Sequence, residues 1–256
     1  MIANYHTHTW RCNHAVGSER EYVEAGLKRG LRILGFSDHT PYIFPGEYYS
    51  GFRMRLDQLD EYVSTVLDLR KEFGDRLQMP LGLEVEFYPA YLPQLLPVLR
   101  DRPVEYLLLG QHFVGNEIHE HYSGSPTAEE SILRRYCDQV IDAVQTGLFT
   151  YIAHPDLIHY VGDAQVYQRH MRRICVEAKN CGIPLEINLL GLAEGRNYPD
   201  RLFWELAAEE GCDCILGCDA HKPQALSDLK AEETALGLVR EYDLRLLETA
   251  ALRPIR

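Results

Sequence analysis

The stretch Ile2-Ala3-Asn4-Tyr5-His6-Thr7-His8 joins a short β-forming run to two histidines at the carboxyl end of that run. A β-strand points residues i and i+2 to the same face, so the side chains of His6 and His8 can approach one ligand together. The far end of the chain repeats this spacing, because Asp219 and His221 follow the apolar run 214–218. Imidazole and carboxylate groups are the usual ligands of zinc, manganese and iron. Two distant strands are therefore both expected to end in a metal-binding pair.

Between these two ends, β-forming runs alternate with segments of helical period. The pattern predicts strands at 2–6, 33–37, 81–87, 106–111, 150–153, 184–188 and 214–218. It predicts helices at 18–30, 57–73, 90–99, 127–146, 164–181, 199–210 and 223–242. Capping-box spacings at Ser18-x-x-Glu21 and Thr127-x-x-Glu130 mark two of the helix starts. Repeated βα units are typical of an α/β fold, and without an internal repeat or a low-complexity linker we expect one domain over residues 1–256.

The composition indicates an acidic globular protein. The 256 residues include 26 Lys and Arg against 38 Asp and Glu, which gives a net charge of -12. This charge opposes binding to nucleic acid or to an anionic membrane surface, so neither is expected as a partner. No apolar run approaches the roughly 18 residues of a membrane span, and the N-terminus lacks the pattern of a signal peptide. We therefore expect a cytoplasmic protein whose cysteines are reduced thiols.

Six of the seven predicted strands carry or run into a potential metal ligand. Apart from the two pairs already described, these groups are Asp38 and His39 after the second strand, Glu84 within the third, His112 after the fourth and His154 after the fifth. The carboxyl ends of barrel strands meet at one mouth, so these side chains are expected to share one site. Glu84 is the best candidate for a carboxylate that bridges two ions, although Glu86 has the same parity. The sixth strand, near 186–188, has no obvious ligand.

Further candidate residues lie in predicted loops. His14 follows the first motif and would become a ligand if the site holds a third ion. A second His-x-His motif, His119-Glu120-His121, lies among glycine, asparagine and serine residues with no strand directly before it. We expect this segment to be a mobile loop over the mouth that contacts the substrate. Asp38 is expected either to bind metal or to orient a histidine.

Five motifs spread over nearly the whole chain resemble those of the PHP family of metal-dependent phosphoesterases. They are His6-Thr7-His8, Ser37-Asp38-His39, Gly82-Leu83-Glu84-Val85-Glu86, His154-Pro155-Asp156 and Asp219-Ala220-His221-Lys222-Pro223. Within that family the chain resembles the monofunctional histidinol-phosphatase branch. The residues that carry this second likeness are Phe52-Arg53-Met54, Leu185-Glu186-Ile187-Asn188, Arg196 and Tyr198-Pro199.

The resemblance implies a distorted (β/α)7 barrel that holds three metals. By position, the first ion would be held by His6, His8, Glu84 and Asp219, the second by Glu84, His112 and His154, and the third by His14, His39 and His221. Two to three divalent ions of zinc, manganese or iron are the expected cofactors, because imidazole-rich sites select poorly for magnesium. The ions outweigh the catalytic carboxylates Glu84 and Asp219 in charge, so an acidic protein can still bind a phosphate dianion.

The implied reaction is hydrolysis of a small phosphomonoester, with L-histidinol phosphate from histidine biosynthesis as the expected substrate. A hydroxide that bridges two metal ions would attack phosphorus. Arg53 and Arg196 would hold phosphate oxygens as forked donors, and His119 and His121 would influence the choice of leaving group. Either Asp38 or His221 would pass a proton to the leaving alkoxide.

Three alternatives remain open. The same machinery could act on another phosphoester, such as a nucleotide or phosphotyrosine. An amidohydrolase-like metal hydrolase also begins with His-x-His after its first barrel strand, but His14, His39 and His221 exceed what a one-metal or two-metal site needs. A non-catalytic barrel that serves as a binding module is disfavoured because every ligand position is filled. The sequence does not indicate the oligomeric state.

Overall fold

The computed structural model describes residues 1–118 and 121–255, in which parallel strands alternate with helices. The strands are β1 (Ala3–Asn4), β2 (Ile33–Leu34), β3 (Gly82–Val85), β4 (Tyr106–Leu109), β5 (Phe113–Val114), β6 (His121–Tyr122), β7 (Tyr151–Ile152), β8 (Leu185–Asn188), β9 (Asp213–Gly217) and β10 (Arg245–Leu247). The helices are α1 (Glu19–Arg29), α2 (Leu59–Phe73), α3 (Leu92–Arg100), α4 (Glu130–Gln145), α5 (Ala164–Asn180), α6 (Leu189–Glu194), α7 (Arg201–Glu209) and α8 (Leu229–Glu241). Within the described ranges, no helix has both the length and the apolar character needed to cross a membrane.

The two predicted capping boxes have different outcomes. At the start of α1, the Ser18 hydroxyl accepts a hydrogen bond from the Glu21 amide, and the Glu21 carboxylate accepts one from the Ser18 amide at 2.6 Å. This exchange satisfies two amides of the first turn, so the first box is confirmed. The second is wrong, because α4 begins at Glu130 with Glu129 as its N-cap residue. Thr127 is instead held in an extended conformation by a bridge to Tyr160.

The strands follow one another in the order of a distorted (β/α)7 barrel. β3, β4, β7, β8 and β9 run side by side in one parallel sheet, and β1 pairs in parallel with β2. A bridge between His39 and Glu84 connects the β2 side to β3, and a bridge between Thr7 and Ala220 connects the β1 side to β9. These seven strands are the ones that the sequence predicts. The ring that they form is completed by single bridges rather than by full ladders.

Three features of the fold were not predicted: a last strand, a short helix and a hairpin. β10 pairs with Asp213–Ile215 of β9, so only the residues beyond the carboxyl end of β9 meet the β1 side. α6 begins at Leu189, directly after Asn188, which is the last residue of β8. β5 and β6 form a short antiparallel hairpin in which His121 pairs with Val114. At His121 the structure therefore has a short strand where a loop was predicted, whereas His119 lies outside the described residues.

The base of the barrel is filled by a small apolar cluster inside the ring of strands. Tyr5, Tyr106 and Tyr151 belong to this cluster, while the larger core lies between the strands and the helices. The Tyr106 hydroxyl donates to the Tyr5 carbonyl oxygen at 2.7 Å. Gly82 lies against the Tyr106 ring, which any Cβ at that position would overlap. Because large rings close the base, open space for a ligand is expected at the other end.

Candidate metal centre

The carboxyl ends of the strands bring the predicted metal ligands together at one mouth. His8 Nε2 lies 3.1 Å from Asp219 Oδ1, and His6 Nε2 lies 3.5 Å from the same oxygen. All three side chains are buried. Three donor atoms therefore lie around one point, two from His6 and His8 near one end of the chain and one from Asp219 near the other end.

Glu84 occupies the centre of the cluster. Its Oε1 lies 2.9 Å from His154 Nε2 and 3.7 Å from His112 Nε2. Its Oε2 lies 3.0 Å from His39 Nδ1 and 3.6 Å from His8 Nε2. The two oxygens therefore face different imidazoles, which is the arrangement that a carboxylate bridging two ions requires.

A third group of nitrogen donors lies at the outer side of the cluster. His14 Nε2 is 2.9 Å from His221 Nε2, and ligand atoms of these two residues and of His39 lie within 4.8 Å of one another. The His221 ring also stacks on the His8 ring, with 4.1 Å between their centroids. The structure therefore brings all the predicted metal ligands to a single mouth, in groups that share residues with one another.

The arrangement of these donor atoms suits the binding of divalent cations better than it suits hydrogen bonds between the side chains. His6 Nε2, His8 Nε2, His39 Nδ1 and Glu84 Oε2 are buried and have no hydrogen-bond partner among the residues that the structure describes. A buried polar atom without a partner costs about 1–3 kcal/mol, so several of them in one place require an explanation. Imidazole nitrogens and carboxylate oxygens that face a common point are the donor set of zinc, manganese and iron sites. The cluster suits more than one such ion.

Electrostatic coupling in the cluster is strong. Burial alone would lower the pKa of His6, but Glu186, Asp219 and Glu84 raise it well above its usual value. Burial would raise the pKa of Asp219, yet nearby imidazoles, His6 first among them, hold that pKa well below its usual value. Without metal, a proton on His6 therefore takes the place of a cation that these carboxylates attract.

Asp38 lies behind the ligands rather than among them. It is fully buried, and its carboxylate accepts hydrogen bonds from the Thr9 hydroxyl and, at 2.8 Å, from the His39 amide. Its Oδ1 is also 3.4 Å from His8 Nδ1. With Nδ1 turned toward the carboxylate, His8 directs Nε2 into the cluster. Of the two roles left open for Asp38, these contacts support the orientation of a histidine.

Glu186 has a similar role that the sequence did not reveal. Its Oε1 lies 2.8 Å from His6 Nδ1, and its Oε2 accepts a hydrogen bond from the His154 amide at 3.0 Å. Asn188, two residues later on the same face of β8, donates to Glu186 Oε2 and lies 3.2 Å from Asp219 Oδ2. The sixth predicted strand therefore contributes an acceptor, Glu186, and a donor, Asn188, that orient the candidate ligands. The sequence signal was the i, i+2 pair of polar residues in an otherwise apolar strand.

Two of the ligand positions have an unusual backbone conformation. His154 and Asp219 have φ values of +30° and +47°, in the left-handed region that residues with a Cβ seldom adopt. Each is the second residue after the end of a barrel strand. Backbone strain of this kind persists where the surrounding structure imposes it, and it is concentrated at functional sites.

Above the ligands, the mouth opens into a cavity of about 400 Å³. Phe52 and Phe113 form one wall, where their rings stack with centroids 5.8 Å apart. Arg196 lines the cavity, and its Nη1 donates to the Tyr198 hydroxyl at 2.7 Å. Its Nε donates to Glu194 at 2.8 Å. The cavity thus combines aromatic surface, a cation and a carboxylate directly above the metal ligands.

The other predicted substrate-binding residues are placed differently. Arg53 is almost completely buried, and its guanidinium contacts Glu86 and Glu117 rather than lining this cavity. This burial is contrary to the expectation that Arg53 offers a free fork to phosphate. His121 Nε2 lies 3.1 Å from the Ser125 carbonyl oxygen, and His121 does not line the cavity either. The sequence could not reveal these contacts, because they depend on side chains from separate loops.

Comparisons with known proteins agree with this arrangement. The PHP domain family matches residues 4–189. The chain is 34% identical over 233 residues to the probable histidinol-phosphatase of Deinococcus radiodurans, and 87% of each chain is covered. It is 22% identical over 249 residues to the histidinol-phosphatase of Bacillus subtilis, with 85% of this chain and 92% of that one covered.

A solved structure shows the same fold. The crystal structure of histidinol phosphate phosphatase from Lactococcus lactis, complexed with zinc, L-histidinol and phosphate, matches with a TM-score of 0.75 and 20% identity, covering 96% of this chain and 95% of that one. The barrel order, the ligands at its mouth and the family match over most of the chain agree with one another, and the chain belongs to the PHP family.

Proposed function

We propose that this protein is a metal-dependent phosphomonoesterase that converts L-histidinol phosphate and water into L-histidinol and phosphate. The observation that carries the proposal is Glu84, whose two oxygens face separate imidazoles directly below a cavity that Arg196 lines. The relatives named histidinol-phosphatase support the same substrate. We further propose that residues 1–256 form one domain that acts in the cytoplasm on this small substrate, without nucleic acid as a partner.

The proposed metal set follows the overlapping ligand groups. His6, His8, Glu84 and Asp219 would hold the first ion, Glu84, His112 and His154 the second, and His14, His39 and His221 the third. Bound divalent ions would supply an activated water and balance the charge of a phosphate dianion. The chain's part is to orient the imidazoles. The buried carboxylates of Asp38 and Glu186 do this through Nδ1 of His8 and of His6, which turns Nε2 of each ring toward the cluster.

Arg196 is the proposed phosphate donor of the chain. It lies at the cavity wall with its side chain exposed, and it shares its N–H groups between the Tyr198 hydroxyl and Glu194. An incoming phosphate would compete with Glu194 for these donors, and a forked guanidinium matches two phosphate oxygens. Burial raises the pKa of Tyr198, so its hydroxyl stays protonated and can donate to the same anion. Tyr198 is thus a further candidate for phosphate binding.

The leaving group would occupy the aromatic side of the cavity. Phe52 and Phe113 provide a flat surface for a ring, and Glu194 provides a negative charge for an amine. Imidazole and ammonium are the two groups of histidinol that such a surface suits. Of the two residues considered as proton donors, His221 lines the cavity, whereas Asp38 is enclosed behind His8. A His221 that binds the third ion has its other ring nitrogen on the Asp219 carbonyl oxygen and no proton free to give, so neither residue is proposed as the donor to the leaving alkoxide.

Steady-state kinetics on a panel of phosphomonoesters tests the proposal. The zinc-loaded protein should hydrolyse histidinol phosphate with a kcat/KM on the order of 100-fold above that for a nucleoside monophosphate or phosphotyrosine, since only the first presents both a cationic amine and an imidazole. Removal of metal by a strong chelator should abolish the activity, and zinc or manganese should restore it. A higher kcat/KM on phosphotyrosine would contradict the substrate. Absence of hydrolysis of every ester by fully loaded protein would contradict the reaction class.

A further inference from the structure

We propose that Arg53 is a positioning residue which, through Glu86, fixes the orientation of His112 and so sets the affinity of the second metal position. The inference rests on the proposed metal-dependent function. The sequence predicted that Arg53 binds phosphate. The contacts of Arg53 inside the protein instead support a role in positioning Glu86.

The first step is the contact between Glu86 and His112. Glu86 is fully buried, and its Oε1 lies 2.8 Å from His112 Nδ1. A carboxylate at this distance accepts the Nδ1 hydrogen, which leaves the lone pair of Nε2 directed toward Glu84, 3.7 Å away. Glu86 therefore selects both the tautomer and the ring orientation in which His112 can bind a cation.

The second step is the contact between Glu86 and Arg53. Arg53 Nη1 lies 3.0 Å from Glu86 Oε2, the oxygen that does not face His112. Nη1 also donates to the Thr40 carbonyl oxygen at 2.9 Å. The other edge of the guanidinium contacts Glu117, because Nε donates to Glu117 Oε2 at 3.1 Å and Nη2 donates to the same oxygen. The guanidinium lies over the Phe52 ring at 4.4 Å. Arg53 is thus held on several sides and in turn holds Glu86 in one place.

The arrangement explains why a buried cation occurs so close to a metal site. A carboxylate with one oxygen on a histidine and no partner for the other would be a buried, unbalanced charge, which is costly. Arg53 supplies that balance without approaching the metal ligands themselves. If Arg53 is removed, Glu86 loses the contact that orients it, and His112 can rotate or exchange the nitrogen that carries its hydrogen. The consequence should be confined to the ion that His112 helps to hold.

Zinc binding to matched variants tests the inference. Wild type, Arg53→Met, Arg53→Lys and Glu86→Gln would be stripped of metal, titrated with zinc by calorimetry, and analysed for bound zinc after dialysis. Arg70→Met serves as the control, because Arg70 donates to the Met79 carbonyl oxygen and pairs with Glu105 near the base of the barrel. Steady-state kinetics on histidinol phosphate would be recorded for each protein reconstituted with excess zinc.

Arg53→Met should weaken one zinc site by about 10–100-fold and leave the others unchanged, the usual loss when a group that orients a ligand is removed. Arg53→Lys should recover part of this affinity, since an ammonium can still reach Glu86. Glu86→Gln should weaken the same site, because its single amide oxygen cannot satisfy both His112 and Arg53, and it keeps the test available if Arg53→Met does not fold. Arg70→Met should bind zinc as the wild type does.

Three results would count against these ideas, and they are distinct. Unchanged zinc affinity in Arg53→Met and Glu86→Gln would overturn the inference and leave the proposed function intact. Full zinc content in Arg53→Met with a raised KM would mean that Arg53 binds phosphate after all. A wild-type protein that binds no zinc, manganese or iron would overturn the proposed function itself.

Discussion

Replacement of Gly110 by alanine tests how Glu84 is accommodated. Gly110 follows β4, and a Cβ at this position would lie 2.8 Å from Glu84 Cγ and closer still to the carboxylate of Glu84. Non-bonded carbon atoms do not approach so closely in proteins. Because Gly110 and Glu84 are both buried, the Glu84 side chain would have to move. The backbone at Gly110 is not in the left-handed region, so the methyl group itself, rather than backbone strain, causes the change.

The size of the effect follows from this displacement. Overpacking of a buried site costs about 1–3 kcal/mol, which for a domain of this length lowers Tm by about 2–12 °C. A displaced Glu84 cannot direct its two oxygens at two groups of imidazoles, so zinc content should fall by more than one ion per chain. Loss of one preorganised electrostatic group lowers kcat by about 100–1000-fold, and Gly110→Ala should lose at least that much.

Elemental analysis, thermal unfolding and steady-state kinetics would be compared between Gly110→Ala and a matched control. Gly237→Ala makes the same chemical change within α8, where a Cβ would meet nothing within 4 Å. The control should keep its zinc and its kcat and gain roughly 0.5–1 kcal/mol of stability from the higher helix propensity of alanine. The reasoning is refuted if Gly110→Ala retains wild-type zinc content and kcat.

Three further predictions concern Glu84, Arg196 and the histidine pair of the site. Glu84→Gln should lower kcat by orders of magnitude and weaken more than one zinc site, which kinetics and zinc titration measure; loss of a single ion would mean that Glu84 does not bridge. Arg196→Ala should keep all its zinc yet lose about 2–4 kcal/mol of transition-state stabilisation in kcat/KM, and Arg196→Lys should recover only part of it. Although burial alone would lower the pKa of His6 and His8, nearby carboxylates raise it well above its usual value, so zinc must displace protons there. Zinc affinity should therefore rise with pH, and calorimetry in two buffers of different ionisation enthalpy should detect proton release; affinity that is independent of pH would contradict this.

The clustering of the candidate metal ligands could be predicted because their positions depend mainly on strand ends. A residue such as His112 or His154 follows a recognisable β-forming run, and the barrel brings every such position to one mouth. The family resemblance then grouped the ligands. The strand order was predictable for the same reason, since each strand and helix has a clear periodicity in the sequence.

The groups that orient the ligands could not be predicted in the same way. Glu186 acts on His6, 180 residues away in the chain, and Arg53 acts on Glu86 from a separate loop. Such contacts depend on which side chains the closed ring of strands places next to each other, and neither composition nor period contains that information. The β5–β6 hairpin was missed because each of its strands has only two residues, too short to show alternation.

The two buried glutamates of the barrel nevertheless share a pattern that links register to sequence. Glu84 pairs with Leu108 of the next strand, and Gly110 stands two residues after Leu108 on the same face. Glu186 pairs with Ile215, and Gly217 stands two residues after Ile215, where a Cβ would lie 2.9 Å from Glu186 Cγ. Side chains lean along the strand, so each glutamate reaches over the position that its neighbour leaves empty. In both cases a ligand follows two residues after the glycine, as Gly110-x-His112 and Gly217-x-Asp219. In this chain, each glycine two residues before such a strand-end residue therefore makes room for a buried carboxylate on the adjacent strand, a relation that depends on the register between the two strands.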